Sequence, residues 1–249
     1  MRSKIEIAFI EQTRRIDLDA TKIKSSLSER GVPIEIFTEK RLLRRQLPLS
    51  RNCLVVGTVP TVDQALKQLK IEYPPFESYP PCLTAYMHRK TWKTTFRKII
   101  GDVLADRVKP TFVKPATRTK RFTGFVLTSY DSLWQSNGAS KSIDVQCSEI
   151  VEWLTEYRVF VHNGKIAGIC NYSGDKNVLI DLEIVNAAIR DFEKSGTATK
   201  AYGADFGVLS SGETALVEIN DATSLGSYEL PADIYTDLIV DRWNEIMGY

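Results

Sequence analysis

Three oxygen-bearing side chains near the C-terminus have a spacing that suits a divalent cation. Asp205 lies in one apolar segment, and Glu218 and Asn220 lie in the next one, beyond a polar turn at 209–214. Side chains at positions i and i+2 of a β-strand point to the same face, so Glu218 and Asn220 can direct two oxygens to one point. Asp205 can meet them from the neighbouring strand. Such ligands suit Mg²⁺, whose coordination is usually completed by phosphate oxygens. The pattern therefore indicates nucleotide-dependent chemistry.

A plain structural role is the alternative for each of these three residues taken alone. Acidic side chains at strand ends are often solvated or paired with a cation. Glu218, however, lies inside the apolar run 215–219, where an unpaired carboxylate would be costly to bury. The set of three therefore favours metal binding.

A group of cations earlier in the chain could face the phosphates of a nucleotide. Lys114 lies near the end of a predicted strand at 111–115, and a stretch that contains Arg118 and Lys120 follows it. Cations neutralise phosphate charge, and small residues let backbone N–H groups approach. Neither the P-loop pattern nor Gly-x-Gly-x-x-Gly is present. A solvated surface hairpin is the alternative for the loop, although Lys114 follows two apolar residues.

Arg158 lies in a predicted strand with alternating faces. The alternation puts Glu156, Arg158 and Phe160 on one face and residues 157, 159 and 161 on the other. A salt bridge on the strand face would explain the pair of Glu156 and Arg158. The other interpretation is that Arg158 contacts a transferring phosphoryl group while Glu156 contacts a ribose hydroxyl.

The overall composition is that of an ordinary globular protein. The chain has 249 residues, of which 43% are hydrophobic and 26% charged, and its formal net charge of +2 gives no strong case for nucleic-acid or membrane binding. The longest apolar runs are too short to span a bilayer, and the N-terminus lacks the pattern of a signal peptide. The four scattered cysteines predict buried free thiols in a reducing cytosol, and the two histidines do not predict a zinc site. We therefore expect a cytoplasmic protein.

The order of predicted elements indicates a small α/β unit at the N-terminus, followed by a second α+β region. Strands alternate with helices over the first 70 residues, which favours a mostly parallel sheet. The proline-rich stretch 73–81 is predicted to be a linker or a rigid crossing segment. In the second region we expect a basic helix at 89–100, strands at 111–115, 125–127, 143–151, 156–162 and 165–170, a turn at Asn163 and Gly164, and helices at 181–194 and 234–247.

Taken in order, the motifs resemble those of the ATP-grasp superfamily. They are Phe-Val-Lys-Pro, a loop that ends in Gly, a strand that ends in Glu, Glu-x-Arg-Val-Phe-Val, Asp-Phe-Gly-Val and Val-Glu-Ile-Asn. The resemblance is closest to the small bacterial and phage domains marked by one arginine and two lysines, and it covers residues 86–249. It implies an ATP-grasp fold of the α/β (α+β) class, in which two α+β lobes, at about 110–152 and 153–249, clamp ATP. Residues 1–85 would form the preceding α/β domain.

The resemblance also implies roles for individual residues. Lys114 would bind the α- and β-phosphates, and the loop that contains Arg118 and Lys120 would close over them. Arg158 would face the phosphate or an acyl-phosphate, and Lys176 would be a second phosphate cation. The remaining implied contacts are Glu149, Ile150 and Val151 with adenine, Glu156 with the ribose, and Asp205, Glu218 and Asn220 with Mg²⁺.

The sequence departs from the family pattern in three places. The first phosphate-binding lysine has no clean match, and Arg89, Lys90, Lys93 and Arg97 compete for that role. The phosphate loop is rich in Arg and Lys instead of Gly. After Asn220 the segment 221–228 lacks the Pro-Gly found in many relatives, and Asp221 in this segment could be an additional ligand or contact an amine substrate.

The resemblance implies an ATP- and Mg²⁺-dependent carboxylate–amine ligase that acts through an acyl-phosphate. Its substrates would be small-molecule or peptide carboxylates and amines, which no motif identifies, and the oligomeric state stays open. A small-molecule kinase is the second enzymatic interpretation. The non-enzymatic one is a nucleotide- or nucleic-acid-binding module, for which the basic region 89–121 with Trp92, Phe96 and Phe122 gives support. Core packing is the alternative role for these aromatic residues.

Overall fold

The N-terminal region forms a three-stranded parallel sheet. The computed structural model describes residues 5–13, 17–73, 76–116 and 122–249. Strands β1 (Ile7–Glu11), β2 (Ile34–Phe37) and β3 (Cys53–Val56) lie in the order β2-β1-β3, and the helices are α1 (Leu18–Glu29), α2 (Glu39–Leu43) and α3 (Val59–Gln68). All four residues of β3 are buried, as expected for a parallel strand covered on both faces. The predicted α/β unit with a parallel sheet is confirmed.

An antiparallel sheet forms the next part of the chain, which we call the small lobe. Its elements are β4 (Thr91–Thr95), α4 (Phe96–Leu104), β5 (Thr111–Pro115), β6 (Phe125–Leu127) and β7 (Asp144–Ser148), with strand order β4-β7-β5-β6. The helix predicted at 89–100 is wrong in its first half, because 91–95 is a strand. Thr95 ends this strand and caps the helix, since its hydroxyl accepts from the backbone N–H of Lys98 at 3.3 Å.

The large lobe is a second antiparallel sheet, in the order β11-β10-β8-β9. Its strands β8 (Trp153–His162) and β9 (Lys165–Gly174) join at Asn163 and Gly164, whose φ angles of +50° and +71° suit a tight hairpin turn. Helix α5 (Leu182–Lys194) follows, then β10 (Ala201–Leu209), β11 (Thr214–Asp221) and α6 (Ala232–Met247). The predicted alternation in β8 is confirmed: Tyr157, Val159 and Val161 pack in the core beneath α5, and Phe160 packs on the other side.

The C-terminal helix joins the N-terminal sheet to the large lobe. Residues of α6 share one hydrophobic core with β1, β3 and α1, and with Phe160 of β8. The indole of Trp243 donates to the carbonyl of Cys53 at 2.6 Å. Among the described residues, no helix has the length and apolar character needed to cross a bilayer. All four cysteines are free thiols, but Cys82 is exposed, so the prediction that all four are buried is wrong there.

Candidate functional site

The predicted metal ligands and Arg158 form one row across three neighbouring strands of the large lobe. Asp205 on β10 lies directly opposite Arg158 on β8 and, on its other side, opposite Glu218 on β11. Asn220 lies two residues beyond Glu218, opposite Gly203. A Cβ atom at position 203 would come within 3.2 Å of the Nε atom of Arg158, so glycine leaves room there for the guanidinium. The sequence-based expectation that these side chains converge on one face is confirmed.

The three predicted ligands are in direct contact. The Nδ2 atom of Asn220 donates to the Oδ2 atom of Asp205 at 3.0 Å and to the Oε1 atom of Glu218 at 3.2 Å. Rotating this amide by half a turn would present its oxygen to the same point. In the described residues, no group of three or more His, Cys, Asp or Glu side chains could hold a metal, so two carboxylates and an amide make up the set. That set fits Mg²⁺, which keeps several waters and needs few protein ligands.

Arg158 and Asp205 form a buried ion pair with two hydrogen bonds. The Nε and Nη2 atoms of Arg158 donate to the two carboxylate oxygens at 2.7 and 2.6 Å. Only 8% of Arg158 and 2% of Asp205 are exposed. Burial raises the pKa of Asp205 to about 6 although Arg158 opposes the rise. The pair therefore fixes the guanidinium at the floor of the site in a geometry that a lysine could not reproduce.

Lys114 reaches this row from the small lobe and pairs with Glu218. Its Nζ atom donates to the Oε2 atom of Glu218 and lies 4.2 Å from the centre of the Tyr79 ring. Burial is the largest single effect and acts to lower the pKa of Lys114, but the charges and hydrogen bonds of Glu218 and Tyr79 together outweigh it, and the pKa is raised. Burial likewise acts to raise the pKa of Glu218, and Lys114 lowers it below its usual range. Both side chains are therefore charged at neutral pH.

These residues border a cleft of about 570 Å³ between the two lobes. Two tyrosines that the sequence analysis missed form one of its walls. The rings of Tyr172 and Tyr228 stack with their centroids 5.5 Å apart, and the Cζ atom of Arg158 lies 5.2 Å from the Tyr228 ring. The hydroxyl of Tyr172 donates to the Oε2 atom of Glu156 at 2.9 Å. Glu156 therefore contacts a residue of the cleft wall without lining the cleft itself, and Arg158 pairs with Asp205 instead.

Tyr228 is held from the N-terminal region. Its φ angle is +45°, which is uncommon for a residue other than glycine. The ammonium group of Lys22 on α1 donates to the carbonyl of Tyr228 at 2.6 Å, and the carboxylate of Asp19 accepts from the backbone N–H of Ser227 at 2.9 Å. Helix α1 thus sets the position of one wall of the cleft.

Other predicted site residues lie elsewhere. Glu149, Ile150 and Val151 line a second cavity of about 860 Å³, together with residues of β4 and α4. The carboxylate of Glu149 accepts from the backbone N–H of Lys90 at 2.9 Å. Lys176 is exposed, and its side chain does not line the first cleft. Arg118 and Lys120 lie outside the described residues. The adenine role of 149–151 and the phosphate roles of the three cations therefore stay predictions.

Of the four cations that compete for the first phosphate role, Arg89 is the one that reaches β11. Its two Nη atoms donate to the carbonyls of Leu216 and Val217, each at 2.7 Å. Lys93 pairs with Glu77, the ammonium group of Lys90 lies 6.0 Å from the centre of the Trp92 ring, and Arg97 is exposed.

Asp221 belongs to a buried structural pair. Its Oδ2 atom accepts from the Nη2 atom of Arg242 at 2.8 Å and from the hydroxyl of Tyr73, and its Oδ1 atom accepts from the backbone N–H of Thr223 at 2.8 Å. The side chains of Arg242 and Asp221 are only 3% and 4% exposed. These contacts favour a structural role over the metal or amine contact considered from the sequence.

Comparisons with known proteins identify a matching family and similar folds. Residues 86–238 match the model of a family described as ATP-grasp domain, R2K clade family 2. The fold is similar to that of D-alanine–D-alanine ligase from Bacillus anthracis, with a TM-score of 0.61 and 14% identity over 98% of this chain and 99% of that one. It is also similar to a RimK domain ATP-grasp protein from Sphaerobacter thermophilus, with a TM-score of 0.54 and 13% identity over 94% and 98% of the two chains. D-alanyl-alanine synthetase A from Vibrio cholerae gives a TM-score of 0.59 and 13% identity over 99% of each chain. No curated protein matches the sequence significantly.

Proposed function

The chain belongs to family 2 of the R2K clade of ATP-grasp domains, and from this membership we propose that it is an ATP- and Mg²⁺-dependent carboxylate–amine ligase. One observation carries the proposal: Asp205, Glu218 and Asn220 converge with Arg158 and Lys114 in a single cleft between two lobes. A D-alanine–D-alanine ligase structure from Bacillus anthracis with a similar fold is complexed with ATP, at a TM-score of 0.59 and 16% identity. These findings support nucleotide binding in this cleft.

The metal site would use the carboxylates of Asp205 and Glu218 and the amide oxygen of Asn220. Bound Mg²⁺ would neutralise phosphate charge and orient the phosphate oxygens. Asn220 fits this role because its side chain already contacts both carboxylates. The carboxylates carry two negative charges that Lys114 and Arg158 balance, so Lys114 can turn from Glu218 to a phosphate oxygen when a metal takes its place.

Arg158 would stabilise the charge of the transferring phosphoryl group. Its two hydrogen bonds to Asp205 hold the guanidinium in place and leave it charged. Preorganised cations of this kind cost no reorganisation during the reaction. Glu156 would bind the ribose and Lys176 a phosphate, and 149–151 would contact adenine through backbone groups. In this proposal no protein side chain acts as a nucleophile, as is usual for phosphoryl transfer.

The reaction would proceed in two substitutions. A substrate carboxylate oxygen forms a bond to the γ-phosphorus while the bond from that phosphorus to the ADP oxygen breaks. An amine nitrogen then forms a bond to the acyl carbon while the bond from that carbon to the bridging oxygen breaks. The phosphate leaves with the bridging oxygen, and the amine proton passes to solvent. The stacked pair Tyr172 and Tyr228 borders the cleft beyond Arg158 and is the proposed wall of the carboxylate and amine subsites.

Amino acids or peptides are the proposed substrates. An ATP-grasp ligase with a similar fold, PsnB, was solved with a precursor peptide, at a TM-score of 0.51 and 12% identity over 98% of this chain and 99% of that chain. The name of the similar D-alanine–D-alanine ligase gives an amino acid as its substrate. A pooled screen can identify the pair of substrates for this chain.

ADP release with pools of amino acids, peptides and other carboxylates tests the proposal, with mass spectrometry of the products. An amide together with ADP and phosphate is the expected result, whereas a phosphoester with ADP would identify a kinase. Glu218→Gln should lower the rate by about 10²–10³, as for the loss of one preorganised charge contact. Glu183→Gln on the exposed face of α5 is the matched control. Wild-type turnover by Glu218→Gln would overturn the site assignment.

A further inference from the structure

The row of metal ligands depends on one extra residue in β11. From the hairpin end, Val208 pairs with Thr214, Gly207 with Ala215 and Phe206 with Leu216, but Asp205 pairs with Glu218. Val217 is therefore the extra residue of a β-bulge. Without the bulge Asp205 would face Val217, and Glu218 would lie opposite a residue whose side chain packs beneath α5. A one-residue shift of register moves a side chain to the other face of the sheet.

Arg89 contacts this bulge directly. Its Nη1 atom donates to the carbonyl of Leu216, and its Nη2 atom donates to the carbonyl of the extra residue Val217, each at 2.7 Å. Nη1 also donates to the carbonyl of Met87 at 3.1 Å. The extra residue of a bulge lies outside the regular ladder, and a buried carbonyl without a donor is costly. The arginine supplies a donor to each of these carbonyls.

Two aromatic rings lie beside the guanidinium of Arg89. The Cζ atom of Arg89 lies 5.7 Å from the centre of the Tyr79 ring and 5.4 Å from the centre of the Trp153 ring. The ring of Tyr79 also contacts the ammonium group of Lys114. A planar fork that donates to two adjacent carbonyls while it contacts aromatic rings is a geometry that lysine does not provide. Arg89 itself does not line the cleft, so its effect on the metal passes through Glu218.

We propose that Arg89 is a positioning residue that holds the bulge at Val217 and thereby keeps Glu218 opposite Asp205. The inference rests on the proposed function, because it assigns Arg89 to the metal site. It differs from a phosphate contact for Arg89, which the sequence left open. In the present geometry three of the five N–H donors of Arg89 are engaged with backbone carbonyls. Because Arg89 does not line the cleft, a phosphate contact there would require its side chain to leave these carbonyls.

Mn²⁺ binding, followed by electron paramagnetic resonance with and without ATP, tests the inference. Arg89→Met removes both hydrogen bonds to the bulge and should weaken Mn²⁺ binding about tenfold or more. Arg89→Lys keeps the charge and can donate to one carbonyl, so it should give a smaller loss. A merely structural role would lower the unfolding midpoint of both variants and leave the Mn²⁺ affinity of the folded protein unchanged. If Arg89→Met does not fold, Arg89→Lys becomes the assay variant.

Deletion of Val217 distinguishes a positioning role of Arg89 from a direct phosphate contact. Removing the extra residue makes the ladder regular, and Glu218 then faces Asp205 without a bulge. In that background Arg89→Met should no longer change the Mn²⁺ affinity. A direct phosphate contact predicts instead that Arg89→Met weakens ATP binding equally in both backgrounds, and that result would overturn the inference.

The outcomes also distinguish this inference from the proposed function. If the wild-type protein binds no Mn²⁺ together with ATP, the proposed function fails regardless of Arg89. If the wild type binds both and the Arg89 variants bind Mn²⁺ equally well, only the positioning role is wrong.

Discussion

Replacing Lys114 with methionine should change metal and nucleotide affinity in opposite directions. The ammonium group of Lys114 pairs with Glu218, one of the proposed metal ligands, and so competes with a metal for the same oxygen. Lys114→Met removes this competitor while it keeps much of the side-chain volume. The metal should bind more tightly in the absence of nucleotide, and the nucleotide should bind more weakly because it loses a phosphate contact.

The magnitude follows from the charges and their exposure. Two unit charges about 4 Å apart attract by about 4 kcal/mol at an effective dielectric constant of about 20. The side chains of Lys114 and Glu218 are 15% and 27% exposed, and water screens part of this attraction. We therefore expect a gain of about 1–2 kcal/mol, or roughly tenfold, in Mn²⁺ affinity. Loss of a hydrogen bond to a charged phosphate costs about 1.5–3 kcal/mol, or roughly 10–100-fold in nucleotide affinity.

Two titrations measure these effects. Electron paramagnetic resonance gives the Mn²⁺ affinity without nucleotide, and calorimetry gives the affinity for a non-hydrolysable ATP analogue. Lys194→Met is the matched control, because Lys194 is exposed at the end of α5 and lines neither the cleft nor the second cavity. Glu218→Gln should lose Mn²⁺ binding. If Lys114→Met weakens both ligands, or changes neither, the exchange of Lys114 between Glu218 and phosphate is refuted.

Two further predictions concern the carboxylates beside this pair. Asp221→Asn should lower the free energy of unfolding in urea by about 3 kcal/mol, because Arg242 loses a buried partner. The Mn²⁺ affinity should stay unchanged. A large loss of Mn²⁺ affinity without destabilisation would identify Asp221 as a ligand. The pKa of Asp205 is about 6 in the folded protein against an ordinary value of 3.8. The folded state therefore binds more protons between these values, and ionisation of Asp205 costs stability as the pH rises through about 6. Since a metal requires the ionised carboxylate, Mn²⁺ affinity should fall about tenfold per pH unit below pH 6, and constant affinity down to pH 5 would contradict this.

The sequence was sufficient to group the ligands but not to place their partners. Glu218 and Asn220 share a face because their spacing is two, which is a property of any strand. That Asp205 lies directly opposite Glu218 depends on the bulge at Val217, and counting residues from the hairpin predicts the wrong pairing. The residue types therefore indicated the proposed metal site, whereas the strand register that assembles it is visible only in the structure.

The same limit explains why Tyr172 was missed. The turn at Asn163 and Gly164 pairs His162 with Lys165, and a regular ladder from there would put Tyr172 on the face of β9 that lies away from Arg158. A register shift between Phe160 and Val161 reverses the parity, so that Arg158 pairs with Cys170 and Tyr172 shares its face. Gly168 adjoins the extra residue Ala167, but a glycine inside a strand does not by itself fix the position of a bulge. Spacing alone could not recover this wall of the cleft.

The helix predicted at 89–100 failed for a related reason. The segment has helical spacing of apolar residues in its second half, and Phe96, Ile99, Ile100 and Val103 are indeed the buried face of α4. Its first half is rich in threonine and pairs with β7, and tertiary pairing decided the structure there. The change from strand to helix at Thr95 leaves Arg89 before β4, beside β11, where it reaches the bulge.

The two ion pairs of the site differ in how readily they can change partners. Arg158 and Asp205 lie on adjacent strands and share two hydrogen bonds, so separating them would require disturbance of the ladder between β8 and β10. Lys114 and Glu218 come from two different sheets, and a rotation about the lysine stem is enough to separate them. A cleft built this way has a fixed cation on the large lobe and an exchangeable one on the small lobe. On ligand binding, Lys114 of the small lobe should therefore change partners, whereas the ion pair between Asp205 and Arg158 should stay intact.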